Sequence, residues 1–158
     1  MFKRGFVLWE VVVGTAILAA FALGLTAAFQ SALKLNNLNL HFTQANFLLA
    51  EGVEAVRLMR DNGWDANIGA LSVDTDYFLT YNTASNLWQS TAANVFLDGL
   101  FERKFRLSAV YRDGSQNISP TGTLDANSKK LDLTVSWRQG AATTTRTIST
   151  YLTDLFVN

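Results

Sequence analysis

The chain has 158 residues, with 13 basic and 13 acidic side chains and no formal net charge. Charged residues are 16% and aromatics 12%, which argues against a disordered chain and supplies no basic field for nucleic acid. Without cysteine there is no disulfide, thiolate metal site or cysteine nucleophile, and the single histidine, His41, excludes a multi-histidine metal site.

The first element is apolar. Phe6 to Phe29 is a 24-residue stretch with one charge, Glu10, and the 19 residues from Val11 to Phe29 carry none. As a helix those 19 residues span roughly 28 Å, close to the hydrocarbon thickness of a bilayer. Lys3 and Arg4 precede the run, so the positive-inside rule places the N-terminus in the cytoplasm. Three readings compete. One is a secretory signal peptide with Ala20-Phe21-Ala22 as its cleavage site, although the apolar run continues past that site. Another is a plain single-pass anchor. Neither accounts for Glu10, because a carboxylate in an apolar membrane helix costs about 2.5–3.5 kcal/mol and reads as functional by default.

The third reading does account for it. Lys3-Arg4-Gly5-Phe6-Val7-Leu8-Trp9-Glu10 resembles the prepilin signal of the type IV pilin and pseudopilin family: a short basic leader ending in Gly, then Phe, then Glu four residues on, then a long apolar helix. The resemblance implies cleavage after Gly5 by a membrane prepilin peptidase and N-methylation of the new terminus at Phe6. It also implies a role for Glu10 in filament assembly, paired with the terminal amine of a neighbouring pilin subunit. An α-amine titrates near about 7.7–8, so it is largely cationic at neutral pH and is the natural counter-charge for Glu10 in a dry helix bundle. The implied protein has no cofactor and contacts the membrane through residues 6–29. It begins in the inner (cytoplasmic) membrane as a precursor and ends in an extracellular filament. Trp9, Val7 and the lack of a proline in the apolar helix depart from the common pattern and bear on the subtype.

From residue 30 to 62 the pattern becomes amphipathic. Leu35, Leu38, Phe42, Ala45, Leu49, Gly52, Val56 and Met59 recur at spacings of three and four, which predicts a helical stripe packing on the chain's own globular part. Asp61-Asn62-Gly63 is a helix stop. The stretches Leu49 to Arg57 and Arg60 to Trp64 also resemble, more loosely, the corresponding region of some minor pilins.

After Gly63 the period becomes two. Asp76–Tyr81 and Leu87–Ser90 read as a hairpin around Thr83–Asn86, and Phe101–Tyr111 as a longer strand with Phe105, Leu107, Ala109 and Tyr111 on one face. Leu131, Leu133, Val135 and Trp137 alternate with polar residues, and Gln139–Ala142 turns that strand into Thr143–Leu152. The expected fold is α+β: a long N-terminal helix, its first half transmembrane, packed by its second half on an antiparallel sheet of three or four main strands. The segments are then a leader at 1–5, an apolar helix at 6–29, an amphipathic helix at 30–62 and a β head at 63–158.

No phosphate loop, dinucleotide fingerprint, nucleophile elbow or zinc-protease motif is present, so a non-enzymatic role is expected. Asp74-Thr75-Asp76 and Asp125-Ala126-Asn127 read as solvated turns rather than calcium loops. Glu51 and Glu54 are expected to pair with Arg57 along the helix, and His41 to be a polar surface residue. Trp64, Trp88 and Trp137 are candidates for a ligand platform for sugar or aromatic groups, but Trp137 reads as core and Trp88 as the best exposed aromatic. Arg103, Lys104 and Arg106 read as a charged, solvated strand edge rather than a DNA contact. The function expected is a structural subunit of a type IV pilus or pseudopilus. The alternative is a membrane-anchored extracellular binding module.

Overall fold

The structure is a computed structural model that describes residues 4–155, with side chains from residue 8 onward. Lys3, in the basic leader, lies outside the described residues, as do the side chains of Arg4 and Phe6. The chain divides into two compact units, Met1–Thr43 and Gln44–Asn158. One helix, α1 (Arg4–Asp61, 58 residues), contributes to both.

In the first unit every described side chain is exposed or half-buried; among the described residues the first buried one is Ala45, in the second unit. From Val11 to Phe29 the helix is apolar on every side. Leu8, Trp9, Leu18, Phe21 and Leu23 are each about 70% exposed or more. This stretch is long and apolar enough to cross a membrane.

In the second unit the expected stripe is buried from Ala45 onward: Ala45, Leu49, Val56 and Met59 face the sheet, joined by Val53 and Ala55. The helix stops where the sequence predicts. Gly63 takes φ +139°, which only glycine adopts without strain, and its N–H donates to the Arg60 carbonyl at 3.1 Å. The Asn67 side-chain amide donates to the Met59 carbonyl at 3.1 Å, satisfying one of the orphaned carbonyls of the last turn. Asn67 is held there by a short π-helical turn, Asp65–Gly69, which buries Ile68.

Five main strands form the sheet, rather than three or four. They are β1 (Asp76–Asn82), β2 (Leu87–Thr91), β4 (Phe101–Arg112), β6 (Thr123–Gln139) and β7 (Ala142–Thr153), all antiparallel in the order β2-β1-β4-β6-β7. Two-residue bridges, β3 (Phe96–Leu97) and β5 (Ile118–Ser119), also pair with β4. Since β6 pairs along the whole of β4, the other rim of β4 is left to the remaining partners. It is taken in turn by β3 at Phe101–Glu102, β1 at Lys104–Arg106 and β5 at Tyr111–Arg112.

Alternation sorts the two faces. On β6, Leu131, Leu133, Val135 and Trp137 are buried against the helix, as their spacing predicts. On β4, Phe101, Arg103, Phe105 and Leu107 point the same way, but the alternation then breaks. A bulge between Ala109 and Val110 shifts the register, so Val110 is buried while Tyr111 is exposed. The expected inward Ala109 and Tyr111 are therefore corrected to Val110. Residues 123–130 likewise belong to β6, so Asp125-Ala126-Asn127 is strand rather than a solvated turn. The long hairpin ends on β7, whose helix-side residue Ile148 is 42% exposed, so this edge of the sheet is largely uncovered.

Candidate functional site

The sequence points first to the N-terminus. Gly5 and Phe6 fall in the first turn of α1, and Glu10 follows as an exposed residue one turn on. Glu10 is the sole ionisable residue between Phe6 and Leu33. The two threonine hydroxyls of that stretch do not share its problem. Thr15 Oγ1 donates to the Val11 and Val12 carbonyls at 2.9 and 3.0 Å, and Thr26 Oγ1 to the Leu23 carbonyl at 2.9 Å. These bonds satisfy both threonines within their own helix, which suits a segment without water around it. Glu10 is left as the one group whose charge needs a partner from outside the segment.

The basic cluster on β4 is split by the pleat, and the expectation of a single solvated edge is corrected. Lys104 and Arg106 face away from the helix and converge on Asp76 of β1. Lys104 Nζ lies 2.7 Å from Asp76 Oδ2 and Arg106 Nη2 2.6 Å from Asp76 Oδ1. Lys104 above all, with Arg106, holds the Asp76 carboxyl below its usual range despite partial burial. The ladder continues to Asp132 on β6, which accepts hydrogen bonds from Lys130 Nζ and from the Ser149 hydroxyl of β7. Burial raises the Asp132 pKa, but these two donors outweigh it and leave the carboxyl lowered. Further along, Arg112 Nε sits 2.6 Å from Asp125 Oδ2 and lowers the Asp125 pKa. The Asp74 carboxylate accepts from the Ser108 hydroxyl at 2.8 Å. The carboxylates of Asp74, Asp76 and Asp125 are thus committed to protein donors.

Arg103 goes the other way. It is 2% exposed and reaches α1, where Nη1 donates to the Leu48 carbonyl at 3.2 Å and lies 3.1 Å from Glu51 Oε2. Its guanidinium sits 5.4 Å from the centre of the Trp88 ring, within cation–π range. Glu51 therefore pairs with the sheet, and Glu54 alone makes the expected bond to Arg57, at 2.6 Å. The signal was in the sequence: Arg103 shares the parity of Phe101, Phe105 and Leu107. Gly52 makes room for it. A Cβ there would stand 2.7 Å from Leu133 Cδ1 and 3.1 Å from Arg103 Cδ, so only glycine lets helix and sheet approach this closely.

Trp137 is buried, as expected, and Trp64 is buried as well rather than open to a ligand. Trp88, expected to be the exposed ligand aromatic, is half-buried between Arg103 and Tyr81, whose ring lies 5.3 Å away edge-on. It still lines a groove of about 510 Å³ between the last turn of α1 and the β1–β2 hairpin. Sequence reading did not find this groove, because its walls come from segments some twenty residues apart that only the hairpin brings together.

Compared with protein-family models, with curated proteins and with solved structures, the chain finds no match in any of the three.

Proposed function

We propose that the chain is a structural, non-enzymatic subunit of a type IV pilus or a related pseudopilus. Prepilin peptidase cleaves it after Gly5, Phe6 becomes a methylated N-terminus, and the apolar part of α1 packs against the same part of other pilin subunits. The precursor sits in the cytoplasmic membrane with its N-terminus inside, and the assembled subunit carries its β head outside the cell. The observation that supports this reading is Glu10: a lone carboxylate on an uncovered apolar helix whose threonine hydroxyls are satisfied internally. Cleavage after Gly5 creates an amine four residues away in sequence, and the same amine on a neighbour supplies the missing charge.

Intact-mass measurement on the protein from its native membrane tests the processing step. The expected mass is that of a chain beginning at a methylated Phe6, with residues 1–5 retained in a Gly5→Leu variant. Retention of residues 1–5 in the unsubstituted protein, or cleavage after Ala22, refutes the proposal. Assembly is tested separately with Glu10→Ala, which should still insert in the membrane and disappear from sheared filament fractions.

A further inference from the structure

We propose that the groove beside the last turn of α1 is a binding site for a neutral sugar ring. The groove has an apolar wall and a polar rim. Leu58, Tyr81 and Leu87 are 56%, 46% and 38% exposed, and with Trp88 they give a surface of aliphatic groups and aromatic rings. Asp61, Asn62 and Asn86 stand on the rim with bonding capacity to spare. Both contacts from Arg60 fall on Asp61 Oδ1, which leaves Oδ2 to accept. Asn86 receives one long contact, 3.5 Å from the Tyr81 hydroxyl, and its amide N–H groups remain as donors. The volume of about 510 Å³ suits one or two sugar units rather than a protein segment.

Charge decides between the ligands that such walls accept. An aromatic groove with a carboxylate at a helix C-terminus ordinarily favours a cation. Here the Asp61 charge is already met by Arg60, and one cation, Arg103, already lies against Trp88. A second cation would find no unpaired carboxylate, since Glu51 is likewise held by Arg103. An anion finds no unpaired cation here and would meet the negative end of α1. A neutral ring with apolar C–H faces and equatorial hydroxyls meets neither obstacle. Its C–H groups stack on Tyr81, and its hydroxyls donate to Asp61 Oδ2 and accept from the rim amides.

The full chain is placed in a polyoxyethylene detergent, which has no sugar or choline head group. Saturation-transfer NMR is recorded with methyl glucoside, methyl galactoside, N-acetylglucosamine and cellobiose at up to about 20 mM, a range that reaches millimolar affinities. Tetramethylammonium and indole serve as cationic and apolar probes. The expected result is transfer to ring C–H protons of at least one sugar, abolished in Tyr81→Ala and weakened at least fivefold in Asn62→Ala. Asn86→Gly removes the rim amide while keeping the left-handed turn (φ +56°), and should weaken the same signal. Unchanged far-ultraviolet dichroism and a retained cooperative unfolding transition show that each variant is folded. Absence of transfer to every sugar, transfer that survives Tyr81→Ala and Asn62→Ala, or preference for tetramethylammonium or indole overturns the proposal. The result is independent of whether the chain assembles into filaments.

Discussion

Removing either half of the Arg103–Glu51 pair should have unequal consequences. Arg103 is 2% exposed, whereas Glu51 keeps half of its side chain in water. In Glu51→Ala the guanidinium stays buried with the Leu48 carbonyl and the Trp88 ring as its remaining partners. Stranding a buried charge costs about 3–5 kcal/mol where no partner remains. The retained carbonyl bond and the solvent screening at Glu51 bring the expected loss to about 2 kcal/mol. Arg103→Met removes the charge and keeps most of the stem that packs beside Gly52. Glu51 then relaxes into water, and the Leu48 carbonyl keeps its place in the helix. The expected change is under about 1 kcal/mol, because apolar replacement of a buried ion often breaks even. The double variant should match Arg103→Met rather than the sum. Denaturant unfolding of the head, followed by tryptophan fluorescence, measures all three. A loss in Arg103→Met equal to or larger than that in Glu51→Ala refutes the reasoning.

Gly52→Ala gains about 1 kcal/mol of helix propensity but forces a methyl against the fully buried Leu133, where overpacking costs about 1–3 kcal/mol. A net loss near 1 kcal/mol is expected in the same unfolding assay, and a more stable variant would show that the interface gives way freely. Asn67→Ala removes the bond to the Met59 carbonyl and should cost about 1 kcal/mol, with faster amide exchange confined to the last turn of α1. Stability should also fall in acid. Asp76, Asp125 and Asp132 have carboxyls lowered by their partners, so the unfolded chain takes up protons near the ordinary value of about 3.9 before the folded chain does. Their contribution is complete above that pH and is lost as pH falls below it through the folded values. Thermal melts from pH 6 to pH 2 should be flat at first and then decline, and Asp76→Asn should shallow the decline.

Much of this architecture is legible in the sequence where a single local rule governs. The apolar run, the stop at Asn62-Gly63 and the alternation of Leu131 to Trp137 each follow from one periodicity. The failures occur where two rules compete. Arg103 has inward parity and outward chemistry, and parity prevails because α1 offers it a carbonyl and a carboxylate. Between Ala109 and Val110 the partner on β6 jumps from Lys129 to Asp125, a shift invisible to a period-two count along β4, so Tyr111 is assigned to the wrong face. Thr123 to Lys130 is polar and carries turn-forming residues, yet it is strand because β4 and β7 supply its hydrogen bonds. The groove escapes for a different reason, since it depends on where the β1–β2 hairpin comes to rest beside the helix end.

The shared rim of β4 has a consequence for how the head comes apart. Three short partners hold that rim piecemeal, at Phe101–Glu102, Lys104–Arg106 and Tyr111–Arg112, while β6 grips the opposite rim from end to end. Each short partner can detach without the others. Amides donated toward β3 and β5 should exchange with solvent through small, separate openings, whereas those between β4 and β6 exchange only when the whole head opens. The head should therefore lose its margin on one side first, with the two long central strands as the last persistent pair.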